Sequence, residues 1–568
     1  MNFFPYLEVE KPRYLQIFRT NSDSQFNRIS LFFFIFMYVK ILLYKIKERS
    51  ENKEVLFLWN QVYDPFENIW LSALVAAIPI IYFILAMTLF KMKGYVSAIT
   101  SVLVAAVVAI FIYNMPLGKV VGSSVHGIFT GIYPVAAIVV GAIFLYKLSV
   151  KSGRFEIIKS SIVSLSDDKR IQVLLIAFCF GCFLEGAAGF GAPVAITAVI
   201  LVGLGFEPIK AAGLCLVANI AGGSYGAMGI PVTTPATLTG LDGLEVAAQT
   251  TPIIPIITFL VPFLLVFLMD GFKGIRETLP AILVCSVTFT LTQFIILITL
   301  GAVLVDILSA LVTLVVLAVF LRYWKPVKKE GKLEGVVMAW LPFVLLTVIV
   351  IAFSYIKTNI KIDFPINGIN ERIMKLPPVV TEATSIKAIF SIPLVSTTTA
   401  IIVTATITII IYKLTAKLVL DSAKETFTEL GIPILTICSV LAFAYICNYS
   451  GISSTLGLAF ASTGNLFPLF SPVLGWVGVF LTGSVVNSGS LFAPLQTITA
   501  GQIGLDPAAM VASNVIGGDM AKMISPQSVA VAAAAVGIVG RENEIFKYTI
   551  KISVILLVIV GILNLILN

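Results

Sequence analysis

The chain has 568 residues, 58% of them hydrophobic and only 12% charged, about half the charged share of an ordinary soluble domain. Apolar runs of about 20 residues recur along it, the length a helix needs to cross roughly 30 Å of hydrocarbon. The composition therefore excludes a soluble protein, and the net charge of +8, held in short Lys/Arg clusters between apolar runs, marks cytoplasmic loops and not a nucleic-acid surface.

Residues 1–54 differ from the rest, with polar and charged sequence on both sides of a short apolar run, Ile29–Tyr44, that Lys40 interrupts. This segment is expected to be signal-like or to lie upstream of the native start, with an interfacial anchor as the alternative, and it is set apart from the fold. From Ile69 the pattern is regular, with apolar runs over 69–90, 95–113 and 127–147. The basic stretches Lys91–Lys93, Lys147–Arg170, Arg322–Lys332, Lys413–Lys424 and Arg541–Lys551 are placed in the cytoplasm, and Asn114–His126 and Lys357–Lys387 outside. His126, the only histidine, is expected to be a solvated loop residue. Further runs bring the expected total to about 12 to 14 helices, and Asp306, at the end of one of them, is expected at an interface. The six cysteines all lie in apolar segments and are expected to pack as small hydrophobes.

One run breaks the membrane pattern. Phe183–Ile196, FLEGAAGFGAPVAI, places Glu185 where hydrocarbon is expected, with Gly186, Gly189, Gly191 and Pro193 loosening the helix. A charge at the bilayer centre costs roughly 2.5–3.5 kcal/mol on insertion scales, so an acid there points to a functional site. Unwound backbone at that depth is tolerated only where protein or a water-filled cavity shields it.

The break has an echo. Phe183-Leu184-Glu185-Gly186 is matched by Phe480-Leu481-Thr482-Gly483, Ala192-Pro193 by Ala493-Pro494, Gly205-Phe206-Glu207-Pro208 by Gly504-Leu505-Asp506-Pro507, and Asn219 by Asn514. The first copy enters the membrane from the basic side and the second from the other. Inverted repeats with paired discontinuous helices are a pointer to a transporter site. The expected organisation is a first repeat over 55–330 with a hairpin at 183–196, and a second over 331–568 with a hairpin at 480–494.

Within these copies Glu185 is the candidate proton carrier, with Asp519 as a second acid. Lys522 is the candidate receptor for a substrate carboxylate; an ion pair with Asp519 that only fixes the fold is the alternative. Gly186, Gly189 and Gly191, the amides Asn219, Asn487 and Asn514, the hydroxyls Ser488, Ser490 and Ser525, and Gln527 complete the candidate substrate site. They could equally serve to satisfy freed backbone groups.

These motifs resemble a known family. FLEGAAGFGAPVAI, GLGFEPIKAAGLCLVAN, GAMGIP and KMISPQSVAVAAAAVG look like the signatures of the lactate permeases, and LWNQVYDPFENIWLS, from Leu58, looks like their N-terminus. The resemblance implies a proton-coupled carrier of lactate or glycolate, with two inverted repeats and re-entrant hairpins. It further implies a prokaryotic plasma-membrane location, no cofactor or metal, and protons, a small monocarboxylate and the bilayer as partners, with a homodimer left open. Glu185 matches the first signature of the family, and Lys522, Met523, Ser525, Pro526 and Gln527 match the C-terminal one. The chain departs from it in two places: Val485 and Val486 follow Ser484 where an acidic sequence is usual, and Asp519 stands where the family is usually uncharged. A sodium-coupled or dicarboxylate carrier is the nearest alternative. An intramembrane enzyme is disfavoured because no His pair and no nucleophile with a base occurs in a motif, and a channel because nothing resembles a filter ring.

Overall fold

The computed structural model describes residues 58–189, 191–324, 335–356 and 360–568; the extension 1–54 and most of the basic stretch Arg322–Lys332 lie outside these. Ten of the described helices are long and apolar enough to cross a membrane, or eleven if the pair Pro208–Ala221 and Gly223–Thr239, bent by 57°, is one span. The difference from the expected 12 to 14 is partly one of division. Ile254–Thr299 forms one 46-residue element, but its backbone leaves helical geometry at Asp270 and Gly271. At 1.5 Å per residue its length is about twice the hydrocarbon thickness.

Both expected breaks are hairpins. The first arm, Lys169–Ala187, ends where Gly189 and Gly191 take φ of +60° and +85°, and the chain returns as Ala192–Gly203. Only a residue without a side-chain penalty adopts those angles freely. The arms lie side by side: a Cβ on Gly181 would touch Thr197, and Lys169 Nζ donates to Gly205 O at the base at 2.9 Å. The second hairpin joins Phe467–Thr482 to Val485–Ile503 through Gly483, with φ +69°. Ser488 Oγ donates to Gly475 O at 3.0 Å and Gln496 Nε2 to Ser471 O at 2.9 Å across its arms.

A broken helix follows each hairpin, Pro208–Ala218 to Gly226–Thr239 after the first and Pro507–Lys522 to Pro526–Ala535 after the second. The second halves cross over: Gly226–Thr239 packs on the return arm of the second hairpin, and Pro526–Ala535 on the return arm of the first. Each hairpin is also preceded by a ten-residue helix, Arg154–Val163 or Ile452–Ala461, that starts after a glycine at positive φ, Gly153 or Gly451.

Polar contacts join the segments at each end of the helices. Lys151 pairs with Glu425 at 2.6 Å, and Arg170, at the base of the first hairpin, pairs with Asp270 and Glu277. At the other end, Lys119 Nζ donates to Arg372 O at 2.9 Å, and Gln502, at the base of the second hairpin, donates to Pro378 O at 2.6 Å. The hydrophilic stretch there contains short strands: Lys361–Pro365 pairs with Ile389–Pro393, and Ile373–Lys375 pairs with Trp59–Asn60. They are small additions to a helical protein.

Two expectations are corrected. Asn114–His126 is not a loop: a helix runs over Leu117–Thr130, and His126 is buried at 5% exposure with Nδ1 3.1 Å from Tyr449 Oη. Glycines at 122 and 127 let that helix press against Ile369 and the Leu441–Ala442 backbone, and Ser123 and Ser124 bond their own helix carbonyls. The six cysteines are buried and free, as their apolar surroundings suggest, with Cys179 and Cys285 sulfurs 3.7 Å apart.

Close backbone approach holds the second hairpin to the helix behind it. A Cβ on Gly517 would strike the Pro472 backbone, and one on Gly475 the Asn514 backbone. Neither obstacle is a flexible side chain, so Gly517→Ala should destabilise the protein by about 1–3 kcal/mol. A lowered unfolding midpoint in detergent would register it, whereas a midpoint equal to the parent's would mean the contact is looser than described.

Candidate functional site

Glu185 occupies the last turns of the first arm, in Gly181–Ala187. That arm is buried along almost its whole length, so protein and not lipid surrounds the acid. Phe183, two residues before, is clamped edge-on by Trp340 and Phe343 at 4.9 and 4.8 Å. The preceding turns, Val173–Phe180, are wound as π-helix, a geometry frequent at functional sites.

Glu185 is 1% exposed. Its Oε1 accepts from Lys522 Nζ in a close ion pair, and its Oε2 accepts from Asn219 Nδ2 at 2.9 Å. Lys522 ends the helix Pro507–Lys522, so the acid comes from the first hairpin and the base from the broken helix that follows the second. Asp519, one turn earlier, is fully buried; its Oδ2 accepts from Ser224 N at 3.0 Å and from Ser224 Oγ at 2.7 Å. Lys522 thus pairs with Glu185, and its three-residue neighbour Asp519 is held by Ser224 in the broken helix after the first hairpin.

The broken segment fits because it lacks side chains at the points of contact. A Cβ on Gly226 would strike Glu185 Oε1, and a Cβ on Gly223 would strike Asp519 Oδ1. The chain then passes through Ala227 and Met228 at φ +46° and +61°, a conformation costing of order 1–3 kcal/mol each for residues with a Cβ. Ala227 bears the tip of the first hairpin, since a Cβ on Gly189 would come within 3.1 Å of its N and Cβ.

Both tips lean on the helix Pro526–Ala535. Gly191 faces Val531, and a Cβ on Gly483 would come within 2.8 Å of Gln527 Cβ. Ser525 caps that helix by accepting from Ser528 N at 3.2 Å, and donates to Lys522 O.

The L-lactate permease family model matches residues 72–568. The chain belongs to the L-lactate permease family. It is 44% identical to the L-lactate permease of Salmonella typhimurium over 537 residues, covering 89% of this chain and 98% of that one. It is 44% identical to the glycolate permease GlcA of Escherichia coli over 545 residues, 89% of this chain and 97% of that one. The L-lactate permease of Bacillus subtilis is 42% identical over 549 residues, 89% and 98%. Among solved structures, the YdaH transporter of Alcanivorax borkumensis aligns at TM-score 0.43 and 15% identity over 79% of this chain and 87% of that one, too loose a likeness to bear on the site. The protein is a multi-pass permease of a prokaryotic cell membrane, and not an enzyme.

In this permease the expected site residues fall into two groups. Glu185, Asn219 and Lys522 meet at the ion pair, with Asp519 one turn before Lys522, Gly186 against Asp306, and Gly189, Gly191, Ser525 and Gln527 at the hairpin tips and their support. Asn487, Ser488, Ser490 and Asn514 form a separate set in the second hairpin and the helix behind it. There Ser488 reaches Gly475 O and, at 3.4 Å, Asn514 Oδ1; Ser490 donates to Val486 O, and Asn487 N donates to Ser484 Oγ. Among the described residues no hydrogen bond links this set to Glu185 or Lys522.

Residue patterns missed Ser224 and the contact glycines 222, 223 and 226, and misplaced Asp306. Expected at an interface, Asp306 is instead enclosed by protein beside the first hairpin: it is 1% exposed, and a Cβ on Gly186 would come within 2.7 Å of its own Cβ. The available signal was an acid with apolar sequence on both sides, Gly301–Val305 and Ile307–Leu308.

Proposed function

We propose that this permease moves lactate, and glycolate or a related 2-hydroxymonocarboxylate, together with protons. The observation that carries the reading is the buried Lys522–Glu185 pair at the meeting of the two copies. Lys522 is the cation a substrate carboxylate needs, and Glu185 already occupies it. An incoming carboxylate must displace Glu185, and a released carboxylate buried as deeply as Glu185 is costly unless it takes a proton. Anion and proton therefore enter together, each cancelling the charge the other would carry through low dielectric. Asn219 stands ready to hold either form of the acid, and Asp519 supplies a further carboxyl within the site.

The crossed-over second halves of the two broken helices support a reading of the copies as inverted repeats. Their hairpin bases meet different groups of segments, the first beside Asp270 and Glu277, the second beside Pro378. Such a pair of repeats rocking about a shared site gives alternating access.

The test is lactate uptake into proteoliposomes with an imposed inward proton gradient. Uptake should follow the gradient and fall to background when an uncoupler collapses it. Uptake that persists without the gradient and needs sodium instead would replace the proton by a sodium ion in this reading.

A further inference from the structure

The exchange at Lys522 leaves one acid of the cluster without a task. Asp306 is the second residue of the helix Val305–Trp324, and neither of its carboxyl oxygens has a hydrogen-bond partner among the described residues. Its Oδ2 lies against Gly222: a Cβ there would sit 3.0 Å from Oδ2 and 3.4 Å from Glu185 Cβ. Gly222 thus lies between the Asp306 carboxyl and the Glu185 side chain. The ionisable groups facing Asp306 are Glu185 and Cys182 from the first hairpin, Tyr225 from the broken segment, and Asp519 and Lys522 from the second copy. One cation serves three acids, and Glu185 holds it.

A carboxylate withdrawn from water with no donor costs several kcal/mol, so such a group keeps its proton. Asp519 has two donors from Ser224 and Glu185 has Lys522 and Asn219. Asp306 has none, which makes it the acid that carries a proton while the substrate is absent.

We propose that Asp306 is the proton donor to Glu185. When an anionic substrate takes Lys522, one O–H bond of the Asp306 carboxyl breaks and one forms on the released Glu185 carboxylate. As it does so, Asp306 takes a proton from water on the side the site faces, so it is never left as a carboxylate without donors, and that proton is the one co-transported. The inference rests on the displacement reading of the Lys522–Glu185 pair and adds the source of the proton to it.

Two measurements on the full chain test it. In proteoliposomes, Asp306→Asn should lower pH-gradient-driven lactate accumulation at least tenfold more than it lowers lactate–lactate exchange at equal pH; unchanged accumulation overturns the proposal. Should the variant lose both activities together, labelling of the unmodified protein decides. Dicyclohexylcarbodiimide reacts with protonated carboxyls in apolar surroundings, and peptide masses locate the adduct. Without lactate, Asp306 should be modified and Glu185 spared; saturating lactate should bring modification to Glu185 as well. If lactate brings modification to Glu185 while Asp306 is never modified, the displacement reading stands and the role of Asp306 falls. If lactate changes neither, the displacement reading falls with it.

Discussion

Lys522→Met is expected to reduce lactate uptake to background and to destabilise the protein by about 3–5 kcal/mol, the usual cost of removing one partner from a buried ion pair. The pair is well shielded, with side chains 12% and 2% exposed, so water cannot replace the ammonium. Glu185 would be left with Asn219 alone. Adding Glu185→Gln to Lys522→Met should restore much of the stability, because the pair is then neutral on both sides, but no uptake. The unfolding midpoint in detergent and tracer uptake in proteoliposomes separate these effects. A double variant as unstable as the single one would mean that the loss comes from packing around the lysine stem and not from an orphaned charge.

Glu185→Gln alone is the second large effect. The amide keeps the size of the acid and its bond to Asn219, yet it cannot bind and release a proton. Concentrative uptake should fall at least a hundredfold, while exchange of labelled for unlabelled lactate falls much less, since exchange needs no net proton movement. The variant also frees Lys522 from its internal competitor, so the half-saturating lactate concentration for exchange should drop. Full accumulation by this variant would remove Glu185 from coupling and leave Asp519 and Asp306 as the carriers.

The hairpins were legible in the sequence because hydrocarbon makes polar exceptions conspicuous. Glu185, Gly189, Gly191 and Pro193 interrupt a run that would otherwise be an unbroken helix, and the Gly483–Pro494 echo repeats the interruption. What escaped depended on neighbours distant in the chain. Asp306 looked like an interfacial residue because nothing nearby in sequence shares its pocket; Gly186 and Gly222 reach it from elsewhere. The stretch GKVVGSSVHG was too polar for a lipid-facing helix, but this one faces protein, where glycines permit contact and serines bond to their own backbone. The strands over 361–393 were hidden by mixed charges and by a partner, Trp59–Asn60, more than 300 residues away. The ion pair required both: each residue stood out alone, but only folding decided that Lys522 meets Glu185 and that Asp519 turns to Ser224.

The support shared by the two hairpin tips offers an optical handle on the cycle. Gln527 and Val531 lie one turn apart, about 6 Å along the helix, and exposed Ala530 lies between them. A fluorophore attached at position 530 would sense displacement of either tip without touching the charged residues, and its emission would give turnover in real time from a single labelled position.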